Sequence, residues 1–255
     1  MADSSETKSK APIIQARSVR KTYWRGKERL NVLQDLDLTI GEGSFEALMG
    51  PSGSGKTTLL NLIAGLDSPS SGSLQVAGAD LGAMSERQRA KWRAQNIGFV
   101  FQTFNMMPVL TALENVELPL LLTKLPSSER RKRAQTALRV VGLEDRISHY
   151  PRELSGGQEQ RVTIARAIVT DPRLIVADEP TGDLDRDSAN EILNLLEKLN
   201  REFNKTIIMV THDPAAAERA TKVHHLDKGK LIEEPAHSGS SDASVAAQAA
   251  TQSVS

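Results

Sequence analysis

The sequence contains no cysteine, which excludes disulfides and thiolate metal sites and fits a cytoplasmic setting. It also lacks net charge, because Lys plus Arg and Asp plus Glu each number 32. With no overall field to draw in an anionic polymer or lipid surface, nucleic acid is not an expected partner, and any membrane association has to run through a protein. Long apolar runs are missing as well. The nearest approach is Leu118–Leu122, broken by Pro119, whereas crossing a bilayer takes roughly 20 apolar residues, so no direct insertion into lipid is expected. The opening MADSSETKSK has no apolar segment or cleavage site and does not read as a secretory signal. No internal repeat is visible. What remains is 255 residues, 39% hydrophobic and 25% charged: the make-up of a folded chain with one main domain and room for a smaller inserted lobe.

Both ends are polar and Ser/Ala-rich without apolar periodicity, so disordered tails are expected at 1–11 and 236–255, with the working domain at 12–235. Inside it, Val32 to Ile40 alternates like a half-buried strand, and Phe45 to Met49 is a short apolar run closed by Gly50 and Pro51. Helical text follows from Lys56 to Ala64. Leu174 to Ala177 and Thr206 to Val210 are continuous apolar runs of the kind buried on both faces of a parallel sheet. Helical patterns at 156–169 and 187–200 alternate with them, which argues for an α/β sheet that is parallel at its centre. The stretch from about 97 to 150 differs. After the Gln-bearing loop that follows Phe101 it is mostly helical, and it reads as a lobe inserted at about 103–168.

Residues 50–57, GPSGSGKT, match G-x-x-x-x-G-K-[ST] at a point where a strand ends and a helix begins. Glycines let such a loop wrap closely around a phosphate, and its backbone N–H groups and the positive helix end then face the anion. Lys56 supplies a point charge for the β and γ phosphates, and the Thr57 hydroxyl suits a magnesium ligand. The plainer alternative, a Gly/Ser loop with a solvated lysine, does not explain the strand before and the helix after. A dinucleotide loop is excluded, since Thr58 stands where a third glycine or alanine would be needed.

The run LIVADE puts Asp178 and Glu179 at the end of an apolar strand, where ligand crevices of open parallel sheets lie. One carboxylate can orient a magnesium ion, and the next can hold and activate the attacking water. Without the phosphate loop, two exposed charges capping a strand would serve equally well. His212 follows the apolar run Thr206 to Val210 and so falls near the same crevice, unlike His149, His224, His225 and His237, which read as structural or surface residues.

At Leu154 to Gln158 the chain reads LSGGQ, followed by VTIARAI. Alone this is a helix start, with Ser155 as N-cap and Gly156 and Gly157 leaving the terminus open to an anion. In the order phosphate loop, Gln102, LSGGQ, LIVADE, Asp183-Leu184-Asp185, His212, the chain resembles the ABC (ATP-binding cassette) ATPases over about 12–235. The resemblance implies a P-loop NTPase core with a mostly parallel sheet, an N-terminal antiparallel β portion and an inserted α-helical lobe. It implies ATP and Mg2+ as cofactors, with Thr57, Gln102 and Asp178 toward the metal and Glu179, His212, Lys56 and Gln102 in hydrolysis. Nucleotide contacts carried over are Tyr23, stacking on adenine, Gly50, Pro51, Ser52, Gly53, Ser54, Gly55, Lys56, Thr57 and Thr58, and Gln102, Asp178, Glu179 and His212, the last toward the γ-phosphate. Ser155, Gly156, Gly157 and Gln158 are carried over as acting in trans, in a head-to-tail homodimer closed by ATP. Gln102 is also the link to an integral membrane permease that would hold the protein on the inner face of the cell membrane. By its residues alone, Tyr23 beside Trp24 reads as a core or surface aromatic.

Glu159 stands where many relatives carry glutamine, and Asp183 where close relatives often carry asparagine; neither removes a phosphate ligand. The text from FQTFNMMPVL to ADEPTGDLD is similar to the lipoprotein-release and macrolide-export branch, whose permeases have few spans and a large extracytoplasmic domain. The same motor also fits a transmembrane regulator of cell-wall enzymes that moves no substrate. A soluble kinase has no use for LSGGQ, and a DNA-repair or translation ATPase would bring a long coiled-coil insertion or two cassettes in one chain, and a basic surface.

Overall fold

A computed structural model describes residues 12–232; the tails expected at 1–11 and 236–255, and His237, lie outside them. Two sheets face each other. The first is antiparallel, in the order β2-β1-β4-β5, from β1 (Pro12–Arg25), β2 (Glu28–Gly41), β4 (Ser71–Val76) and β5 (Ala79–Asp80). The second runs β10-β9-β3-β8-β7-β6, built from β3 (Phe45–Met49), β6 (Ile97–Phe101), β7 (Leu174–Asp178), β8 (Thr206–Val210), β9 (Lys222–Asp227) and β10 (Lys230–Ile232). It is parallel except where β10 folds back on β9.

The apolar runs of β7 and β8 are continuous because each strand serves two cores. Ile175, Ala177, Ile207 and Met209 point to one face, among α3 (Ala112–Glu117), α4 (Ser127–Val140), α5 (Gly156–Ile168) and α6 (Arg186–Phe203). Leu174, Val176, Ile208 and Val210 point to the other, against α1 (Lys56–Ile63) and the antiparallel sheet. Period-two alternation thus divides the molecule into two cores with the parallel sheet as their shared wall. α2 (Glu86–Asn96), closed at its start by a Ser85–Gln88 capping box, runs straight into β6.

Residues 97–101 are therefore a sheet strand, and the helical part of the middle stretch starts after them. The strand escapes a sequence reading because no turn separates it from α2. α5 packs on α3 and α4 but also on β6, so it joins lobe to sheet. Gly98 makes this possible. A Cβ there would lie 2.3 Å from the Ala167 carbonyl oxygen and 3.1 Å from Pro172. Gly98→Ala is expected to lower unfolding stability by about 2 kcal/mol, the usual range for overpacking. Gly41→Ala, whose Cβ meets nothing within 4 Å, is expected to stay within about 0.5 kcal/mol. Urea denaturation of both variants checks the contrast.

Candidate nucleotide-binding site

The C-terminal ends of β3, β7 and β8 open on one cavity of about 670 Å³, lined by residues of the loop from Gly50 to Thr58 together with Leu30, Val32, Asp178, Glu179, Val210 and His212. Five of the expected residues, Lys56, Thr57, Asp178, Glu179 and His212, therefore meet in one place although they come from widely separated stretches of sequence. The loop leaves β3 at Gly50, where a Cβ would stand 2.1 Å from the Leu226 carbonyl oxygen. It enters α1 through Gly55, an N-cap at φ 106 that offers no side chain to the helix, so the first-turn N–H groups stay open to an anion. Lys56 Nζ donates to the carbonyls of Gly50 (2.6 Å) and Pro51 (3.0 Å), which holds the ammonium across the loop. Ser54 Oγ is buried without a hydrogen-bond partner.

Glu179 holds a left-handed backbone, φ 49, fixed by its N–H donating to Val210 O at 2.9 Å. That turn lets the chain leave β7 and bring the carboxylate across to β8. There Oε1 is hydrogen-bonded to His212 Nδ1 at 2.9 Å. The glutamate side chain is 18% exposed and the histidine 74%, an arrangement in which a sheltered carboxylate is steadied by a residue facing solvent. Burial pushes the Asp178 carboxyl upward, the Glu179 charge adds to that, and Lys56 opposes it. No cluster of three or more His, Cys, Asp or Glu that could hold a metal ion occurs among the described residues. One carboxylate and one hydroxyl nevertheless suit Mg2+, which keeps several waters and takes substrate phosphates as ligands.

Of the expected residues beyond the loop, Gln102, Tyr23 and Ser155 to Gln158 lie outside this cavity. Gln102, in the loop after β6, donates through Nε2 to Asp183 Oδ1 at 2.7 Å and rests against Gly182, so its amide faces the Asp183-Leu184-Asp185 loop. Asp185 caps α6, accepting from the Asp187 and Ser188 N–H groups, and those bonds hold its carboxyl below the usual range. Ser155 and Gln158 form a capping box on α5, so the Gln158 side chain also serves its own helix. Gly157 packs on Ser188. Tyr23 in β1 pairs across the sheet with Leu30, a lining residue, and donates its hydroxyl to Asp67 Oδ2 at 2.7 Å.

Of the residues read as structural, His224 is half-buried, bonded at 2.5 Å to the buried Glu46, and His149 is half-buried in the helical lobe. Sequence reasoning missed Gln160. It is fully buried, and its Nε2 donates to Phe101 O at 3.0 Å and Pro180 O at 2.6 Å, tying both site loops to α5. A polar residue at helical spacing from the apolar Ile164 and Ala167 was the available signal.

The raised Asp178 value means the folded protein favours the neutral acid. Its ionisation therefore opposes folding at neutral pH, and that penalty is relieved as pH falls through the folded-state value. Asp178→Asn is expected to raise the thermal midpoint without nucleotide at pH 7 and to abolish the further rise given by Mg-ATP. Differential scanning fluorimetry with and without Mg-ATP reads both effects.

Comparison with known proteins agrees with this geometry. The family model described as ABC transporter matches residues 33–182. An uncharacterized ABC transporter ATP-binding protein, YvrO of Bacillus subtilis strain 168, is 50% identical over 84% of this chain and 93% of its own length. The macrolide export ATP-binding/permease protein MacB 1/2 of Paracoccus denitrificans is 47% identical over 87% of this chain, which spans only 33% of that longer protein. Among solved structures, a dimeric structure of the ABC transporter cassette MJ0796 aligns with TM-score 0.79 and 44% identity, covering 87% of this chain and 97% of that one. MJ0796 of Methanocaldococcus jannaschii has also been solved as a dimer in a post-hydrolysis state bound to ADP and Pi. The chain belongs to the ABC transporter family, as one of its ATP-binding, ATP-hydrolysing domains.

Proposed function

We propose that this ATPase binds Mg-ATP between two copies of itself and uses the cycle of closure and hydrolysis to drive a membrane permease of the export or lipoprotein-release type. The observation that carries the reading is the meeting of Lys56, Thr57, Asp178, Glu179 and His212 around one cavity at the ends of three strands. Lys56 and the open N-terminus of α1 neutralise the phosphates, and Thr57 and Asp178 are the residues that would hold Mg2+. The bound metal supplies charge neutralisation at the β and γ phosphates. Glu179 orients the attacking water and accepts its proton at a carboxylate oxygen, while His212 steadies that carboxylate.

Ser155, Gly156, Gly157 and Gln158 lie outside the phosphate cavity of their own chain, which favours their use by the second copy. ATP then favours closure because its γ-phosphate gains contacts only in the closed pair, and losing it shifts the balance back. Transmission to a permease starts at Gln102. Beside it lies a groove of about 510 Å³ that includes Arg93, Phe99, Phe101, Leu122 and Arg166, with Leu121 and Leu122 exposed at 56% and 79%. Side chains of this kind suit an amphipathic cytoplasmic segment of a partner. No helix among the described residues is long and apolar enough to cross a membrane. The cytoplasmic location, on the inner membrane face, follows from the proposed permease. The exporter assignment draws on the macrolide-export relatives.

Glu179→Gln is expected to lower the hydrolysis rate about 10²- to 10⁴-fold while keeping ATP affinity, and to elute as a dimer in ATP. Hydrolysis at the wild-type rate removes Glu179 as the base. Pulled from its native host with Mg-ATP, the same variant should bring down a permease with a large extracytoplasmic domain; soluble proteins alone would defeat the transport reading.

A further inference from the structure

Tyr23 stands in the exposed half of β1, 38% accessible, where an aromatic ring would ordinarily sample several rotamers. Here it is tied down. Its hydroxyl donates to Asp67 Oδ2 at 2.7 Å. Asp67 Oδ1 accepts from Lys21 Nζ at 2.6 Å and from the Ser68 N–H at 2.7 Å. Lys21 also donates to Ser68 O at 2.8 Å, and its ammonium lies 4.8 Å from the centroid of the Tyr23 ring, within cation–π range. Lys21 is only 8% exposed, a burial that a lysine tolerates when it is paired.

Chemistry keeps the cluster intact. Burial pushes the Tyr23 phenol up to about 12, with Asp67 adding to the shift, so the hydroxyl remains a donor across the physiological range. Burial also pushes the Asp67 carboxyl up, but the bonds from Lys21, Tyr23 and Ser68 outweigh it and hold the group below the usual carboxylate range. Placement supplies the purpose. Lys56 and Thr57 lie in the first turn of α1, and Asp67 follows just beyond the end of the same helix. The ring is therefore fastened to the C-terminal end of the helix that carries the phosphate-binding residues, where the Asp67 N–H donates to Asn61 O at 3.3 Å. Neither Lys21 nor Asp67 lines the phosphate cavity.

We propose that Asp67 and Lys21 are positioning residues that clamp the Tyr23 ring at a set place relative to the phosphate loop, fixing the spacing between the base and phosphate ends of the nucleotide site before ATP binds. The inference rests on the reading of Tyr23 as the adenine platform. Ordering the ring during folding removes that entropy loss from the binding step, which is how preorganisation raises affinity.

Isothermal titration calorimetry on the full chain separates the alternatives, with ATP and inorganic tripolyphosphate, a probe that has no base, as ligands. Asp67→Ala is expected to weaken ATP binding about five- to tenfold, the scale of one or two lost hydrogen bonds. Tripolyphosphate affinity should not change, and KM should rise with kcat unaltered. Tyr23→Phe, which keeps the ring and loses only the hydroxyl, should weaken ATP to a similar degree and carries the test alone if Asp67→Ala does not fold. In a Tyr23→Ala background Asp67→Ala should add nothing. An equal loss for both ligands would mark Asp67 as merely structural and overturn the clamp. If Tyr23→Ala weakens ATP but Asp67→Ala and Tyr23→Phe do not, the clamp falls and the platform stands. If Tyr23→Ala binds ATP like the wild type, the platform falls and the clamp with it.

Discussion

The phosphate loop keeps its shape because the final hairpin of the described chain presses on it from below. Gly50 lies against the Leu226 carbonyl too closely to admit any side chain, the Gly229 N–H donates to Ser54 O at 3.0 Å, and Gly229 O in turn accepts from Gln34 at 2.9 Å. Strands β9 and β10 thereby stitch the loop to the antiparallel sheet. A backbone meant to wrap an anion must aim several N–H groups at one point, and a free glycine-rich segment would lose that arrangement to entropy. Support from a distant part of the chain makes the loop a fixed cradle. The hydrophobic wall formed by β3, β7 and β8 then determines what faces it.

That wall explains why the acidic pair can be kept. Asp178 ends, and Glu179 follows, a strand packed on both faces, where an ionised group is poorly solvated. Two carboxylates side by side repel each other, and Lys56 is the charge among the described residues that relieves Asp178. The fold accepts this local cost at the one place where bound phosphate and a divalent cation would change the electrostatic balance. Glu179 carries a second strain in its left-handed backbone, of a size that surrounding structure must impose.

Legibility from sequence followed burial. Phe45–Met49 and Thr206–Val210 appear as strands with the bounds that their mostly apolar runs suggest, because strands covered on both faces are apolar nearly throughout; Glu46 is the interruption, buried against His224. The phosphate loop was readable from its glycines and Lys56, and Asp178, Glu179 and His212 from their places beyond apolar runs. Contacts between distant polar side chains were not readable. Gln102 bonded to Asp183, Gln160 reaching two carbonyls, and Tyr23 held by Asp67 and Lys21 are pairings that only the tertiary structure brings about. Strand β6 was hidden because a helix flows into it without a turn.

Gln160 sits at the inner face of α5 with one amide nitrogen shared between the carbonyls of Phe101 and Pro180. The first of these residues immediately precedes the Gln102 loop, and the second immediately follows Glu179 on the way to Asp183. A single buried amide thus removes a degree of freedom: the two loops and the helix that begins at Ser155 move as one linkage, since parting any pair would strand a polar group in the core. Any tilt of the helix would therefore reach both loops together through this one amide.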